Sequence, residues 1–218
     1  VHCNNCLGDL DAWVKLLGDA AEALGAKFDT RTLYSKLLNC AFEGDADCGG
    51  LVSYNYISGE PVTGFIEGRP LFIRKQDAKF NVADFMRMHL YSACASLKIG
   101  MDILLKEHVA LDSITGHGGF FKEPGVGQRI MAAALAVPVT VMATAGEGGP
   151  WGMAILAAYM DNDDGETLTE YLASTVFRGA ESSTIEPDAV DLAGFALYME
   201  RYKACFAAEE VAVEALNV

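Results

Sequence analysis

Glycine-rich turns are the part of this sequence best suited to chemistry. One turn spans residues 116–119, with the sequence GHGG, and another spans residues 145–149, with the sequence AGEGG. Glycine lets the backbone adopt a positive φ, or approach a ligand more closely than a Cβ atom would allow. A nucleotide could therefore lie across both turns, although glycine alone indicates close approach and no particular reaction.

The segments around these turns alternate between helix and strand. Pro124 is tolerated near the first turn of a helix, where an amide hydrogen has no partner. Residues 137–141 form a β-branched run typical of a short strand, and Pro138 suits its start or an edge. Residues 151–160 are apolar nearly all round, so we expect a helix between layers and not on the surface. Three- and four-residue spacing predicts another helix, whose N-terminus faces the first glycines, from Val126, Ile130, Met131, Ala134 and Leu135.

The rest of the chain is predicted to be mostly helical. Amphipathic patterns predict a helix over residues 9–24, capped by Asp9 or Asp11, and another over 30–41, capped by Thr30. Residues 51–57 indicate a strand that leads into the loop 58–61, and such loops in α/β sheets tend to bind ligands. An exposed helix is expected over 167–176, and two helices or one bent helix over 187–216. The longest predicted helix, 81–106, has a buried stripe of Phe85, Met88, Tyr91, Ala95, Ile99 and Ile103.

The composition excludes several classes of function. The 218 residues are 51% hydrophobic, enough to bury one sizeable core. A net charge of −14 argues against nucleic-acid binding, which needs clustered cations. No run of about 18 apolar residues and no signal-peptide pattern occurs, so we expect no membrane association and a cytoplasmic location.

Cysteine and histidine provide weaker candidates. Cys3 and Cys6 have the spacing of a zinc knuckle, but Cys40 and Cys48 are not the second close pair that zinc would need. We therefore expect reduced thiols and no metal site, while a thiol or zinc protein stays an alternative. His117 is more typical of a turn residue than of a catalytic base. Residues 161–166 begin like a calcium loop, but a glycine occupies a ligand position.

A resemblance to a known family rests on several of these motifs together. The order GHGG, helix, β-branched strand and then EGG-x-x-G-x-A-I-L-A-A is similar to the C-terminal half of the FGGY family of carbohydrate kinases. Residues 56–61 look like a family loop of the form L-S-G-E-x-x-P, although Pro61 here directly follows Glu60. The tail from Pro187 to Lys203 resembles the end of pentulose kinases of the ribulokinase and xylulokinase kind. The similarity covers most of residues 50–210.

The resemblance implies a fold and a domain organisation. The family has the fold of sugar kinases, actin and heat-shock ATPases, so we expect an α/β, ribonuclease H-like (actin-like ATPase) lobe. Its mixed sheet would be flanked by helices, and the lobe would be rich in helix. Residues 1–218 would form the C-terminal, nucleotide-binding lobe. Because the chain begins with Val1, we also expect it to be cut from a longer protein.

The resemblance also implies an activity that this chain could not perform alone. The family transfers the γ-phosphate of ATP, with Mg²⁺, to a hydroxyl of a sugar, here a pentulose such as xylulose or ribulose. The catalytic Asp and much of the sugar site would come from an N-terminal lobe. The chain contains no D-x-G-T segment and no Gly-Thr-Ser turn, so no catalytic residue is assigned within it. A homodimer is possible, and a non-catalytic regulatory or structural ATPase-fold module is the alternative.

The resemblance also implies binding-site residues, at the positions of this sequence that match the family's motif. In the family a glycine pair after a strand contacts the adenosine of ATP, which implies Gly118 and Gly119, with Phe120, near the ribose and α-phosphate. Phe121, Lys122 and Gln128 would line the adenine side. Many family members carry a small residue after the glycine pair, so two phenylalanines depart from the pattern. Phe120 and Phe121 could instead anchor the turn in the core, with Lys122 as a surface cation.

Overall fold

The chain is described by a computed structural model that covers residues 1–143, 148–162 and 165–216. Most of the described residues are helical. The helices are α1 (Gly8–Ala23), α2 (Thr30–Cys40), α3 (Val82–Lys106), α4 (Val126–Leu135), α5 (Gly148–Met160), α6 (Leu168–Tyr171), α7 (Ala189–Ala204) and α8 (Phe206–Ala215). The strands are β1 (Val52–Tyr54), β2 (Leu71–Ile73), β3 (Ile114–Gly116), β4 (Val139–Met142) and β5 (Ser182–Ile185).

The strands form two small sheets. β1 pairs with β2 in antiparallel register, with Val52 opposite Ile73. β4 lies between β3, which is parallel to it, and β5, which is antiparallel. The second sheet is therefore mixed, as predicted. β1 is shorter than the strand predicted over 51–57, because the chain turns after Tyr54 and the amide of Ile57 donates to the carbonyl of Asn55.

Helix α3 is the centre of the molecule. Every residue from Asp84 to Ser96 is buried, because α2, α4, α7 and β1 all pack on this half of the helix. Asn81 caps it, and its side chain accepts a hydrogen bond of 2.9 Å from the amide of Asp84. The predicted span is confirmed. The single buried stripe is wrong, since the first half is buried on every face and Ile103 is 55% exposed.

Two predicted helix caps are wrong by one or more residues. α1 begins at Gly8, so Asp9 lies inside its first turn and Leu7 occupies the cap position. α2 is capped by Asp29 instead of Thr30, and the Asp29 carboxylate accepts a hydrogen bond of 2.9 Å from the amide of Thr32. Asp29 is the stronger cap because its carboxylate also accepts the Thr32 hydroxyl at 2.7 Å.

A buried carboxylate joins three helices. Asp191 in α7 binds both Arg87 in α3 and Arg129 in α4. Burial would raise the pKa of Asp191, but the hydrogen bonds and charges of the two arginines outweigh it and lower that pKa. The triad therefore fixes α4, which follows the first glycine turn, against the core.

A cluster of buried tyrosines closes the core between β1 and α7. The hydroxyl of Tyr202 donates to that of Tyr56 at 2.8 Å, and the hydroxyl of Tyr198 donates to the carbonyl of Ser53 at 3.2 Å. The hydroxyl of Tyr54 donates to the carbonyl of Tyr202. Each buried phenol thus keeps a hydrogen-bond partner. α8 continues from α7 after a break at Cys205, which agrees with the predicted pair of C-terminal helices.

Helix α5 lies on the surface, which corrects the prediction that it would lie between layers. None of its residues is buried, and Met153 and Met160 are 67% and 84% exposed. Among the described residues, the body of the helix packs on the segment formed by α6 and the π-helical turn Leu172–Val176 that continues it, while its first residue, Gly148, lies against the first glycine turn. Trp151 meets Phe177 with ring centroids 5.7 Å apart, and Tyr159 meets Tyr171 at 5.4 Å. The apolar pattern predicted that other elements would pack on every side of the helix, but the described residues pack on one side only.

Candidate functional site

The first glycine turn has the backbone that its sequence predicts. β3 ends at Gly116, and Gly118 has φ +96°, a value that side chains strongly disfavour. A 3₁₀ turn, Gly119–Phe121, follows, in which the amide of Phe121 donates to the carbonyl of Gly118 at 3.1 Å. A Cβ atom added to Gly118 or Gly119 would meet no atom of the described residues within 4 Å. This face of the turn is therefore open to a ligand.

The other face of the turn is packed against its own phenylalanines. A Cβ atom on Gly116 would lie 2.5 Å from the ring of Phe121. Phe120 packs against the hydrophobic core, and a Cβ atom on Gly127 would lie 2.2 Å from its carbonyl oxygen. Phe120 therefore anchors the turn, while Phe121 is half-buried at its edge.

Three of the predicted site residues line one cavity of about 510 Å³. Phe121, Lys122 and Gln128 face strands β4 and β5 across it. Gly118, Gly119 and Phe120 lie in the adjoining turn and do not line it. The remaining lining residues are Pro124, Val141, Met142, Ala143, Glu181, Ser182 and Ser183.

Gln128 holds this cavity together. The side chain is 4% exposed, and its Nε2 atom donates to the carbonyls of Val139 at 3.1 Å and Ser183 at 2.9 Å. Its Oε1 atom accepts from the hydroxyl of Ser183 at 3.3 Å. Both amide hydrogens are engaged by the protein, so Gln128 can offer a ligand no more than its carbonyl oxygen.

The loop after the turn is tied to α2 by a residue that sequence reasoning missed. The carboxylate of Glu123 accepts hydrogen bonds of 2.7 Å from both the Ser35 hydroxyl and the Asn39 amide. These partners lie 88 and 84 residues away in the chain, and no local pattern connects them. Glu123 thus fixes the loop that carries Phe121 and Lys122.

The two glycine turns meet in space where the structure describes them. Residues 145–147 lie outside the described residues, but Gly148 opens α5, and a Cβ atom on it would lie 3.5 Å from the Cα atom of Gly118. Helices α4 and α5 both begin near the first turn. A helix N-terminus favours anions, so the region beside the turn is suited to a phosphate group.

The loop 58–61 is an anchor and not an open ligand loop. Glu60 is fully buried, and its carboxylate accepts hydrogen bonds of 3.1 Å from the amides of Asn4 and Asn5. The side chain of Asn4 donates in return to the carbonyl of Gly59 at 2.8 Å. The loop therefore holds the N-terminal segment on the domain.

The cysteines of that segment are held as thiols. Burial raises the pKa of Cys3 to about 11, which keeps it protonated near neutral pH, and desolvation and the Asp11 charge also raise the pKa of Cys6, although that residue is exposed. Among the described residues, no group of three or more His, Cys, Asp or Glu side chains is placed to hold a metal ion. Asp163 of the calcium-like segment lies outside those residues. In the described parts of the chain, no helix has the length and apolar character needed to cross a bilayer.

Comparison with known proteins identifies a family and a fold. The sequence profile of the C-terminal domain of the FGGY family of carbohydrate kinases matches residues 1–160. No curated protein matches the sequence. Xylulose kinase from Rhodospirillum rubrum is a similar solved structure, with a TM-score of 0.68 and 20% identity over 92% of this chain.

Two further solved kinases have the same fold. Gluconate kinase from Lactobacillus acidophilus has a TM-score of 0.57 and 21% identity over 80% of the chain, and Plasmodium falciparum glycerol kinase with ADP has 0.53 and 13% over 94%. The chain spans 35–37% of the length of these three structures. The predicted fold class, an actin-like ATPase lobe, is confirmed.

Proposed function

Because the chain belongs to the FGGY family of carbohydrate kinases, matching their C-terminal domain, we propose that it is the ATP-binding half of such an enzyme. The enzyme transfers the γ-phosphate of ATP to a hydroxyl of a pentulose-type sugar such as xylulose or ribulose. The catalytic Asp and most of the sugar site come from an N-terminal lobe. Support for a pentulose comes from the tail motif and from a similar structure described as a xylulose kinase.

The open turn at Gly118 is the observation that supports this function most directly. Its positive φ and empty Cβ position allow backbone to lie against a ribose or phosphate. Gly118, Gly119 and Phe120 contact the ribose and α-phosphate in this proposal. Phe121, Lys122 and Gln128 form the adenine side, where the cavity of about 510 Å³ is large enough for a nucleoside.

The residues present fit ATP better than they fit a metal ion. ATP brings the phosphoryl group that is transferred, and the chain orients it through backbone amides and the exposed Lys122. The described residues offer no cluster of metal ligands. In this proposal Mg²⁺ therefore reaches the site on the phosphates, and any protein ligands it has come from the other lobe.

A non-catalytic module is the second candidate, and the two phenylalanines favour it. The Phe121 ring lies over Gly116, and Phe120 is anchored in the core. Together they use part of the turn for packing. In this alternative the glycines serve close packing and no nucleotide binds.

Titration of Mg-ATP into the 218-residue chain tests the proposal by calorimetry. We expect saturable binding that Gly118→Val weakens at least about tenfold, because the added side chain fills the open face of the turn. Gly25→Val is the matched control. Gly25 also has a positive φ, +89°, and no atom within 4 Å of a Cβ position, but it ends α1. Absence of saturable binding would support the non-catalytic module, whereas saturable binding of equal affinity in both variants would place the nucleotide away from the Gly118 turn.

A further inference from the structure

An aromatic groove lies away from the glycine turns, between α1, β2 and the start of α3. It encloses about 360 Å³ and is lined almost entirely by carbon. The residues that define it are Trp13, Leu16, Leu17, Phe72, Phe80 and Phe85. Neither the nucleotide site nor the family resemblance uses these residues.

The rings of the groove are packed together but leave faces open to solvent. Trp13 and Phe85 meet edge to face with centroids 5.0 Å apart, and Phe72 meets Phe85 in the same way at 5.4 Å. Phe72 and Phe80 stack at 5.5 Å with planes 25° apart. Phe80 is nevertheless 56% exposed and Leu16 is 55% exposed. The groove is therefore a preformed apolar recess, of the kind that binds small molecules.

The segment that carries Arg74 is basic in an otherwise acidic molecule. Residues 69–79 contain four cations and one acid, whereas the whole chain contains 16 Lys and Arg against 30 Asp and Glu. The guanidinium of Arg74 lies 4.9 Å from the centroid of Phe80, at the edge of the recess. Among the described residues, no carboxylate pairs with Arg74 or Lys75, although Lys79 pairs with Asp45 at 2.8 Å. The ring of Phe80 thus holds a cation whose charge is available to a ligand.

We propose that the aromatic groove binds a small monocarboxylate with an aliphatic or aromatic body, free in solution. The body lies on Phe80, Leu16 and Trp13, and the carboxylate pairs with the guanidinium of Arg74. Size favours a small molecule, since a recess of about 360 Å³ is at the lower end of ligand pockets and too small for a peptide helix. Charge favours an anion, because the guanidinium of Arg74 lies at the edge of the recess and pairs with no carboxylate of the described residues. The proposal does not depend on ATP binding.

Fluorescence of Trp13 provides the test. The chain contains two tryptophans, so Trp151→Phe leaves Trp13 as the single reporter. The probes are octanoate and its neutral analogue octanamide. We expect octanoate to change Trp13 emission saturably and to bind about tenfold more tightly than octanamide, because only octanoate forms the charged pair.

Two variants and one control locate the binding. Arg74→Gln should weaken octanoate binding about tenfold and leave octanamide unchanged, which removes the preference for the anion. Phe80→Ala should weaken both probes, because the body of each loses its contact. Arg31→Gln, an exposed cation on α2, should bind octanoate as the parent does.

Other outcomes overturn the proposal. It is wrong if octanoate does not saturate, if Arg74→Gln keeps the preference for the anion, or if Arg31→Gln weakens binding equally. Binding to phosphatidylglycerol vesicles without binding of octanoate would assign the groove to a lipid surface instead. Octanoate binding that Met153→Glu abolishes and Phe80→Ala leaves intact would place the ligand on α5.

Discussion

His89 is a buried histidine whose protonation makes the stability of the fold depend on pH. It is 2% exposed and lies between Trp13, with ring centroids 5.7 Å apart, and Phe85, at 4.5 Å. Neither ring nitrogen has a hydrogen-bond partner among the described residues, and the Asp9 carboxylate lies 3.5 Å from Nδ1. Burial lowers the pKa of His89 from 6.5 to about 3. The imidazole is therefore neutral in the folded protein.

The direction of the pH effect follows from this depressed pKa. Between pH 6.5 and about 3 the unfolded chain binds a proton at His89 that the folded chain does not, so stability falls as the pH falls through that window. A full proton difference corresponds to about 1.4 kcal/mol per pH unit. We expect His89→Leu to remove up to that slope, as measured by urea unfolding at several pH values from 4 to 7. His117→Leu, at an exposed position, is the control and should keep the parent slope.

The structural roles of single residues were the least predictable from the sequence. In the sequence His89 is a lone histidine with no motif around it. Its burial depends on α1, through Trp13, and on Phe85, and that packing is not visible in the sequence. Glu60 reads as part of a ligand loop, but its partners are amides 55 and 56 residues earlier. Gln128 is predicted to line the adenine side of a nucleotide, and its two bonds to strand carbonyls could not be foreseen from the sequence. Each of these roles depends on contacts that are distant in sequence.

At the scale of elements, long periodic segments were predictable and their surroundings were not. Helix α3 follows its pattern from Asn81 onward, because 25 residues of helix carry a strong apolar period. The caps of α1 and α2 were misplaced, since several polar residues compete for each position. Helix α5 shows the limit most clearly. Its apolar sequence predicted burial, but no pattern within a helix says which partner covers it.

Two glycines in helices give a matched test of packing between elements. A Cβ atom on Gly194 in α7 would lie 2.1 Å from the carbonyl oxygen of Ala46, whereas one on Gly152 in α5 would meet nothing within 4 Å. We expect Gly194→Ala to lower the free energy of unfolding by about 3 kcal/mol, because α7 must move away from that backbone. Gly152→Ala should raise it by about 0.5–1 kcal/mol through helix propensity.

Urea denaturation at neutral pH measures both changes. Equal effects of the two substitutions would show that α7 does not pack on residue 46 as described. A loss at Gly152 would instead show that α5 has a close neighbour in solution.

At the scale of the whole molecule, the family was recognisable because several weak motifs occur in one order. Neither GHGG nor the EGG segment is specific by itself, but GHGG follows a strand, and a turn, a helix and a second strand separate it from the EGG segment, as the fold requires. The mixed sheet and the adjacency of Gly118 and Gly148 follow from that order. The interior contacts of α7, including the Arg87 and Arg129 pairs to Asp191, could not be inferred, because they join segments 62 to 104 residues apart.

The proposal assigns ATP binding to this lobe and the catalytic Asp to an N-terminal lobe, which gives a prediction for the 218-residue chain. It contains no carboxylate motif of the D-x-G-T kind to accept the proton of a sugar hydroxyl, so we expect ATP binding without transfer. Incubation with Mg-ATP and xylulose or ribulose should release no more ADP than Mg-ATP alone, measured by a coupled assay. Sugar-dependent ADP release, abolished by Gly118→Val, would show that the chain carries its own catalytic base.

The tyrosine cluster gives this core an optical property. Burial raises the pKa of Tyr54, Tyr56, Tyr91, Tyr198 and Tyr202, which are five of the eight tyrosines in the chain. In alkali these phenols stay protonated until water reaches them, and the charged phenolate absorbs ultraviolet light more strongly than the phenol. The part of the absorbance that these five phenols contribute at high pH would thus record the opening of the core.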